Sequence, residues 1–233
     1  MLRAIIFDFD GILVDSEPLI LKLMQQMAAL EGWNLTDEEY YRDYLALDDR
    51  GVIELLFRRH GLPVDAARRD ELVEWKERAY WEAIRDGLPP FPDAVDFVHR
   101  VARRYPLAIA SGSLRAEIEH LLEKIGLRGF FPVLVTADDT ATSKPDPEVY
   151  LKAVERLQVA AFDPCAGHVR LRAAECLAIE DAAAGVDAAH AAGMKCMALA
   201  HSLPRENLIH AEWVYDNFGE VDFERIIAEF AAL

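Results

Sequence analysis

The chain has 233 residues, 52% of them hydrophobic and 28% charged, enough for one sizeable core or for a core domain carrying a smaller insertion. Its formal net charge of −16 argues against nucleic acid or an anionic membrane as partner, since both call for clustered Lys and Arg. A phosphorylated small molecule stays compatible, because a few local cations and a metal override the global field.

Cys165, Cys176 and Cys196 are odd in number and lack metal-ligand spacing, so they read as reduced thiols. No apolar run approaches a membrane span, and the amino terminus runs directly into a strand, so the expected location is the cytoplasm.

Ala4-Ile5-Ile6-Phe7 reads as a buried strand that delivers Asp8-Phe9-Asp10-Gly11 at its carboxyl end. Acids two positions apart turn toward one site where glycine releases the backbone, although the same pair also suits a merely soluble strand edge. From Ser16 to about Leu88 the character changes. Helices are predicted at Leu19–Leu30, with Ser16 as cap and Pro18 in the first turn, and at Asp37–Leu45, Gly51–Arg59 and Asp65–Arg85. This block, residues 16–87, reads as an inserted helical cap domain, and residues 1–15 with 88–233 as the core. The run Gly87 to Pro92 is the return hinge.

Beyond the hinge, strands and helices alternate. Helices are predicted at Asp93–Arg104, Leu114–Ile125 (ended by Gly126), Pro147–Leu157 (capped by Asp146), Ala182–Ala192 and Phe223–Phe230. Strands are predicted at Leu107–Ala110, Val133–Thr136, Cys176–Ile179, Met194–Leu199 and Trp213–Val214. The fold class is therefore α/β, a Rossmann-like, mostly parallel sheet with helices on both faces plus the helical cap. In such sheets ligands bind beyond the carboxyl ends of the strands.

That rule selects Asp8, Asp10, Ser111, Lys144, Glu180 and Asp181. The set combines carboxylates for a divalent cation, a cation for phosphate and a hydroxyl to orient it. Ser111-Gly112-Ser113 serves equally as a turn with a helix cap or as a phosphate cradle. Lys144 alone would be a surface lysine, but Pro145 biases it to extended backbone and Pro147 stiffens the approach to the next helix. Glu180 and Asp181, adjacent and without nearby bases, repel each other unless a cation or a helix dipole relieves them.

DFDGILVDSEP, IASGS, SKPDP and IEDAAAGVDAAHAAGM together resemble the four motifs of the haloacid-dehalogenase-like hydrolase superfamily, in its order and spacing. The helical insertion after the first motif is similar to the cap of the branch containing phosphoglycolate phosphatase and beta-phosphoglucomutase. The resemblance implies that Asp8 is the nucleophile forming an aspartyl phosphate and Asp10 the acid and base. It implies Mg²⁺ on the Asp8 carboxylate, the Asp10 main-chain carbonyl and Asp181, with Glu180 in support, and phosphoryl oxygens held by Ser111, Gly112 and Lys144. Asp10 favours phosphate esters, because dehalogenases lack that second carboxylate and phosphonate hydrolases carry alanine there.

A phosphatase and a sugar-phosphate mutase both remain open, with a non-catalytic binding module as a third reading. The mutase pattern places histidine where this chain has Ile20, which favours the phosphatase. Arg50, Lys76 and Ser113 are candidates for substrate specificity, Lys76 equally a helix-surface lysine and Ser113 equally a helix cap. Tyr41, Tyr44, Trp75 and Tyr80 are further cap residues, read mainly as packing. The implied partner is a small phosphorylated metabolite, and the expected state a monomer or homodimer. The stretch Asp163 to Glu175, with His168, Arg170 and Arg172, reads as a surface excursion entering its strand from the end opposite the site.

Overall fold

A computed structural model describes residues 1–44, 47, 49–161 and 170–230. It divides the chain into two compact units, residues 16–87 and residues 1–15 with 88–233.

The helical unit contains α1 (Glu17–Leu30), α2 (Asp37–Asp43), α3 (Asp49–Arg59) and α4 (Ala66–Ile84). Its core is built by Met24, Met27, Tyr40, Tyr44, Val52, Ile53, Leu56, Phe57 and Leu72, with Trp33 and Ile20 packed against it. Leu45, the predicted end of α2, lies outside the described residues. Ser16 stands at the start of α1 but makes no capping bond, so that expectation fails: its backbone is already helical, not the extended form that aims a cap hydroxyl at the first turn. Thr36 is a true cap, exchanging bonds with Glu39 in a capping box that composition alone did not single out.

The larger unit holds β1 (Ala4–Phe7), α5 (Ala94–Ala102), β2 (Leu107–Ala110), α6 (Arg115–Lys124), β3 (Val133–Val135), α7 (Glu148–Ala161), β4 (Cys176–Glu180), α8 (Ala183–Ala191), β5 (Lys195–Leu199), β6 (Trp213–Tyr215) and α9 (Phe223–Phe230). All ladders are parallel, in the order β3-β2-β1-β4-β5-β6. β1 to β4 are buried along their whole lengths, which is why they read as continuous apolar runs. One sheet face is rich in small residues, Ala4, Ala108, Ala110, Cys176, Ala178, Cys196 and Ala198 beside Ile6, Val133 and Val135, packed with Tyr150 and Leu157 of α7 and Val186 and Ala189 of α8. Phe7 contributes to an aromatic cluster instead, edge-on to Phe97 of α5 at 6.2 Å and to Phe131 at 5.6 Å.

α7 begins one residue later than predicted and runs to Ala161; the Asp146 carboxylate accepts from the Glu148 amide at 2.9 Å. Of the excursion before β4, residues 163–169, with Cys165 and His168, lie outside the described residues. Arg172 pairs with Glu175 at 3.1 Å, and the Arg170 carbonyl accepts from Arg3 at 3.2 Å. Cys176 and Cys196 are buried free thiols.

The loop after β3 is tied to α6 and α7 by one carboxylate. Asp139 receives Arg115 at 2.6 Å, Arg156 at 2.7 Å and the Thr136 amide at 3.0 Å. The Arg156 bond, with the Thr136 donors and the Arg115 charge, outweighs partial burial and holds its carboxyl well below the usual carboxylate range. A depressed native pKa stabilises the fold above the ordinary carboxylate pKa and ceases to do so as the pH falls through the lower one. Asp139→Asn is expected to cost about 1–2 kcal/mol at pH 7, measured by urea denaturation, with the difference from the parent protein narrowing as the pH falls below about 4.

Candidate active site

The sheet order reverses direction between β1 and β4, the position where open α/β sheets form a crevice at their carboxyl ends. Asp8 follows β1 directly, its amide extending the ladder to the Ile179 carbonyl at 2.9 Å, and Glu180 ends β4. Beyond Asp8 the chain turns tightly: Leu13 donates to the Phe9 carbonyl at 2.8 Å and Gly11 to the Val14 carbonyl at 3.0 Å. Gly11 has φ +71°, and a Cβ there would lie 1.9 Å from an Asp181 carboxylate oxygen. Both the left-handed backbone and the lack of space call for glycine.

Lys144 sits at the centre. Its ammonium donates to Asp8 Oδ1 at 2.9 Å, Glu180 Oε1 at 2.8 Å and the Ala110 carbonyl at 3.0 Å, so its three donors join the ends of β1, β4 and β2. Burial acts to lower its pKa, but Asp8 and Glu180 more than offset this, so the net shift is upward and the ammonium stays charged. Asp8 moves the other way from the usual buried ion pair. Burial is the largest influence, opposed by Lys144 and reinforced by Glu180, and its pKa rises to about 7. One ammonium does not neutralise two buried carboxylates.

Glu180 is fully buried and accepts a further bond from the Tyr150 hydroxyl of α7. Burial and the neighbouring Glu180 raise the Tyr150 pKa far above its ordinary value, so the phenol remains a donor. A Cβ on Gly185 would stand 2.1 Å from the Glu180 carboxylate, which explains the glycine in the first turn of α8. Asp8, Glu180 and Asp181 each place one ligand atom within 4.8 Å of the other two. An all-oxygen anionic set of this kind is suited to a hard divalent cation, and such a cation would supply the missing positive charge.

Asp10 and the motif after β2 meet as well. Ser111 is buried, and its hydroxyl accepts from the Ser113 amide at 3.1 Å; Gly112 between them is exposed. The Ser113 hydroxyl donates to Asp10 Oδ2. Ser113 is therefore not a helix cap: Leu114 occupies that position, and the Arg115 amide is satisfied by Asp138 at 2.8 Å. Thus Asp8, Glu180, Asp181 and Lys144 form one interconnected group, with Asp10, Ser111 and Ser113 linked beside it.

In the helical unit, Lys76 is no loose surface lysine, since it pairs with Asp49 at 3.0 Å and lies 5.2 Å from the Tyr80 ring centre. Arg50 is exposed on α3, Tyr44 and Tyr80 are buried packing residues, and Tyr41 is exposed. Ile20 packs against the unit's apolar core.

Sequence reasoning missed Tyr150 and His201. Tyr150 lies six residues after Lys144, on the first turn of a helix whose apolar spacing made it look like ordinary core. His201 follows β5, its Nδ1 2.8 Å from the Gly11 carbonyl and its ring stacked on Phe91 at 3.9 Å. Burial, against the pull of Gly11 and Asp15, lowers its pKa, so the neutral Nδ1–H tautomer fits this contact. A lone histidine after a strand carried no signal of that contact.

A family model described as a haloacid dehalogenase-like hydrolase matches residues 2–193. The chain belongs to this family. It is 29% identical over 204 residues to a phosphorylated carbohydrates phosphatase of Thermotoga maritima, covering 87% of each chain. It is 30% identical over 207 residues to a fructose-1-phosphate phosphatase of Escherichia coli, covering 82% of this chain and 93% of the relative. Its fold is similar to that of a beta-phosphoglucomutase from Clostridium difficile, with TM-score 0.85, 20% identity and coverage of 100% and 98%. The chain is thus a haloacid dehalogenase-like hydrolase whose relatives include proteins named as phosphatases.

Because the folded state raises the Asp8 pKa to about 7, it retains a proton that the unfolded chain releases near pH 4, and metal-free stability falls as the pH rises between those values. In EDTA at pH 8, scanning calorimetry is expected to show Asp8→Asn melting a few degrees above the parent protein, an advantage absent at pH 4; about 1 kcal/mol moves Tm by roughly 2–4 °C at this size. Gly185→Ala is expected to lose about 1–3 kcal/mol by urea denaturation, because the Glu180 carboxylate must give way.

Proposed function

We propose that the protein is a Mg²⁺-dependent phosphatase that hydrolyses a small phosphorylated metabolite, a sugar phosphate or phosphoglycolate-like ester, through an aspartyl phosphate on Asp8. The observation that carries this is the single ammonium of Lys144 shared between Asp8 and Glu180 at 2.9 and 2.8 Å, at the strand ends where an anionic substrate would need it. The cytoplasm is the proposed compartment, and a monomer or homodimer the proposed state; no helix among the described residues is long and apolar enough to cross a membrane.

Asp8 attacks phosphorus and the P–O bond to the leaving oxygen breaks, while Asp10 gives that oxygen its proton. Water then attacks the aspartyl phosphate and Asp10 takes the proton back, which restores both carboxyl groups and releases phosphate. Lys144 draws the dianionic substrate toward an anionic nucleophile; since its three donors already have partners, it must share one with a phosphoryl oxygen. Ser111 and the Gly112 amide hold other phosphoryl oxygens. Asp8, the Asp10 carbonyl and Asp181, with Glu180 in support, would hold Mg²⁺, which would supply charge neutralisation and polarisation of the phosphoryl group. The donor chemistry of Asp8, Glu180 and Asp181 and the upward shift of Asp8 are consistent with that ion. Arg50 and Lys76 are proposed to bear on substrate choice.

A phosphate-release screen over sugar phosphates, phosphoglycolate and nucleoside monophosphates, with Mg²⁺, tests the proposal. Release is expected from at least one ester, abolished by EDTA and reduced at least ~10³-fold in Asp8→Asn. Isomer formation from a hexose 1-phosphate and its bisphosphate without free phosphate would make the protein a mutase. No turnover and no phosphoenzyme across the panel would make it a binding module.

A further inference from the structure

The Ser113 backbone is held on both sides of the carbon that carries its side chain. Its amide donates to Ser111 Oγ at 3.1 Å and its carbonyl accepts from the Ala137 amide at 3.1 Å, so the backbone on both sides of its Cα is fixed to the ends of β2 and β3. From that position the hydroxyl donates to Asp10 Oδ2, across 103 residues of chain. Asp10 itself lies in the tight turn after β1, where Gly11 is pinned by the Val14 carbonyl and, through its own carbonyl, by His201. Both partners in this bond thus come from restrained backbone, and the bond ties Oδ2 of the Asp10 carboxyl to the end of β2.

We propose that Ser113 is a positioning residue for Asp10: by donating to Oδ2 it makes that oxygen an acceptor and sets the carboxyl in the orientation from which it gives its proton to the leaving group. This inference rests on the phosphatase reading. In the first half-reaction the Asp8 carboxylate forms a bond to phosphorus and the ester oxygen departs with the P–O electron pair. That oxygen receives its proton from the Asp10 carboxylic acid, which becomes a carboxylate accepting from Ser113. In the second, water bonds to phosphorus, the acyl-phosphate P–O bond breaks, and the proton released by water returns to Asp10. Ser113 neither gains nor loses a proton overall.

A residue that acts through the acid is revealed by how much help the leaving group needs. Phenyl phosphate and p-nitrophenyl phosphate have nearly the same shape, but phenolate requires protonation far more than p-nitrophenolate does. The value of kcat/KM covers the steps through departure of the leaving group, so slow dephosphorylation does not mask it. For Ser113→Ala, and for Ser113→Cys, which nearly preserves volume with a much weaker donor, the ratio of kcat/KM for p-nitrophenyl phosphate to that for phenyl phosphate is expected to rise at least ~10-fold. Asp10→Asn should raise it in the same direction. An equal loss on both esters, or an unchanged ratio in a folded variant judged by its melting curve, overturns the proposal and leaves Ser113 a structural or phosphate-holding residue. If the parent enzyme cleaves neither ester nor any metabolite, the phosphatase reading fails instead. If Asp10→Asn leaves the ratio unchanged while turnover persists, the acid assignment fails, and the role of Ser113 with it.

Discussion

One ammonium shared by two buried carboxylates governs the arrangement of this protein. Lys144 reaches Asp8, Glu180 and the Ala110 carbonyl from a loop that belongs to none of their strands. Burying three charges is costly unless each is paired and hydrogen-bonded, and here Tyr150 completes Glu180 while Asp8 is left short of compensation. The surplus negative charge at Asp8 creates a demand for a further cation beside it. A bound cation and the anionic substrate proposed above would draw on the same electrostatic imbalance.

The scaffold contributes by permitting close approach. An alanine- and cysteine-rich sheet face lets α7 and α8 settle near the strands, bringing Tyr150 and Gly185 up to Glu180. Bulkier side chains there would hold the helices away and leave a carboxylate buried without its donor. The packing of the core and the charge state of the site are therefore one problem with one solution.

Much of this was legible in the sequence. The apolar runs before Asp8, Ser111 and Glu180 mark strands, and the rule that ligands gather at their carboxyl ends picks out the group that the fold assembles. Local signals of this kind survive because strand, turn and acid are contiguous. The Ser113–Asp10 bond, the Tyr150–Glu180 bond and the His201–Gly11 contact join residues 103, 30 and 190 positions apart, and no local pattern specifies them. Ser16 shows the opposite failure: a favoured cap residue in a favoured position whose backbone had already entered the helical region. In the helical unit Lys76 looked like surface on its own helix because its partner, Asp49, is carried by another.

The parallel ladder between β1 and β4 pairs Phe7 with Ile179, so Asp8 and Glu180 leave the sheet at the same level. Neighbouring strands lie about 4.8 Å apart, close to the span over which one ammonium can touch an oxygen on either side. Strand spacing thus acts as a ruler for the charge cluster. Because side chains alternate faces at every residue, a slip of one position in this ladder would send Glu180 to the opposite side and strand Lys144 with a single acid. Pairing register, ordinarily a matter of folding, is here also a determinant of chemistry.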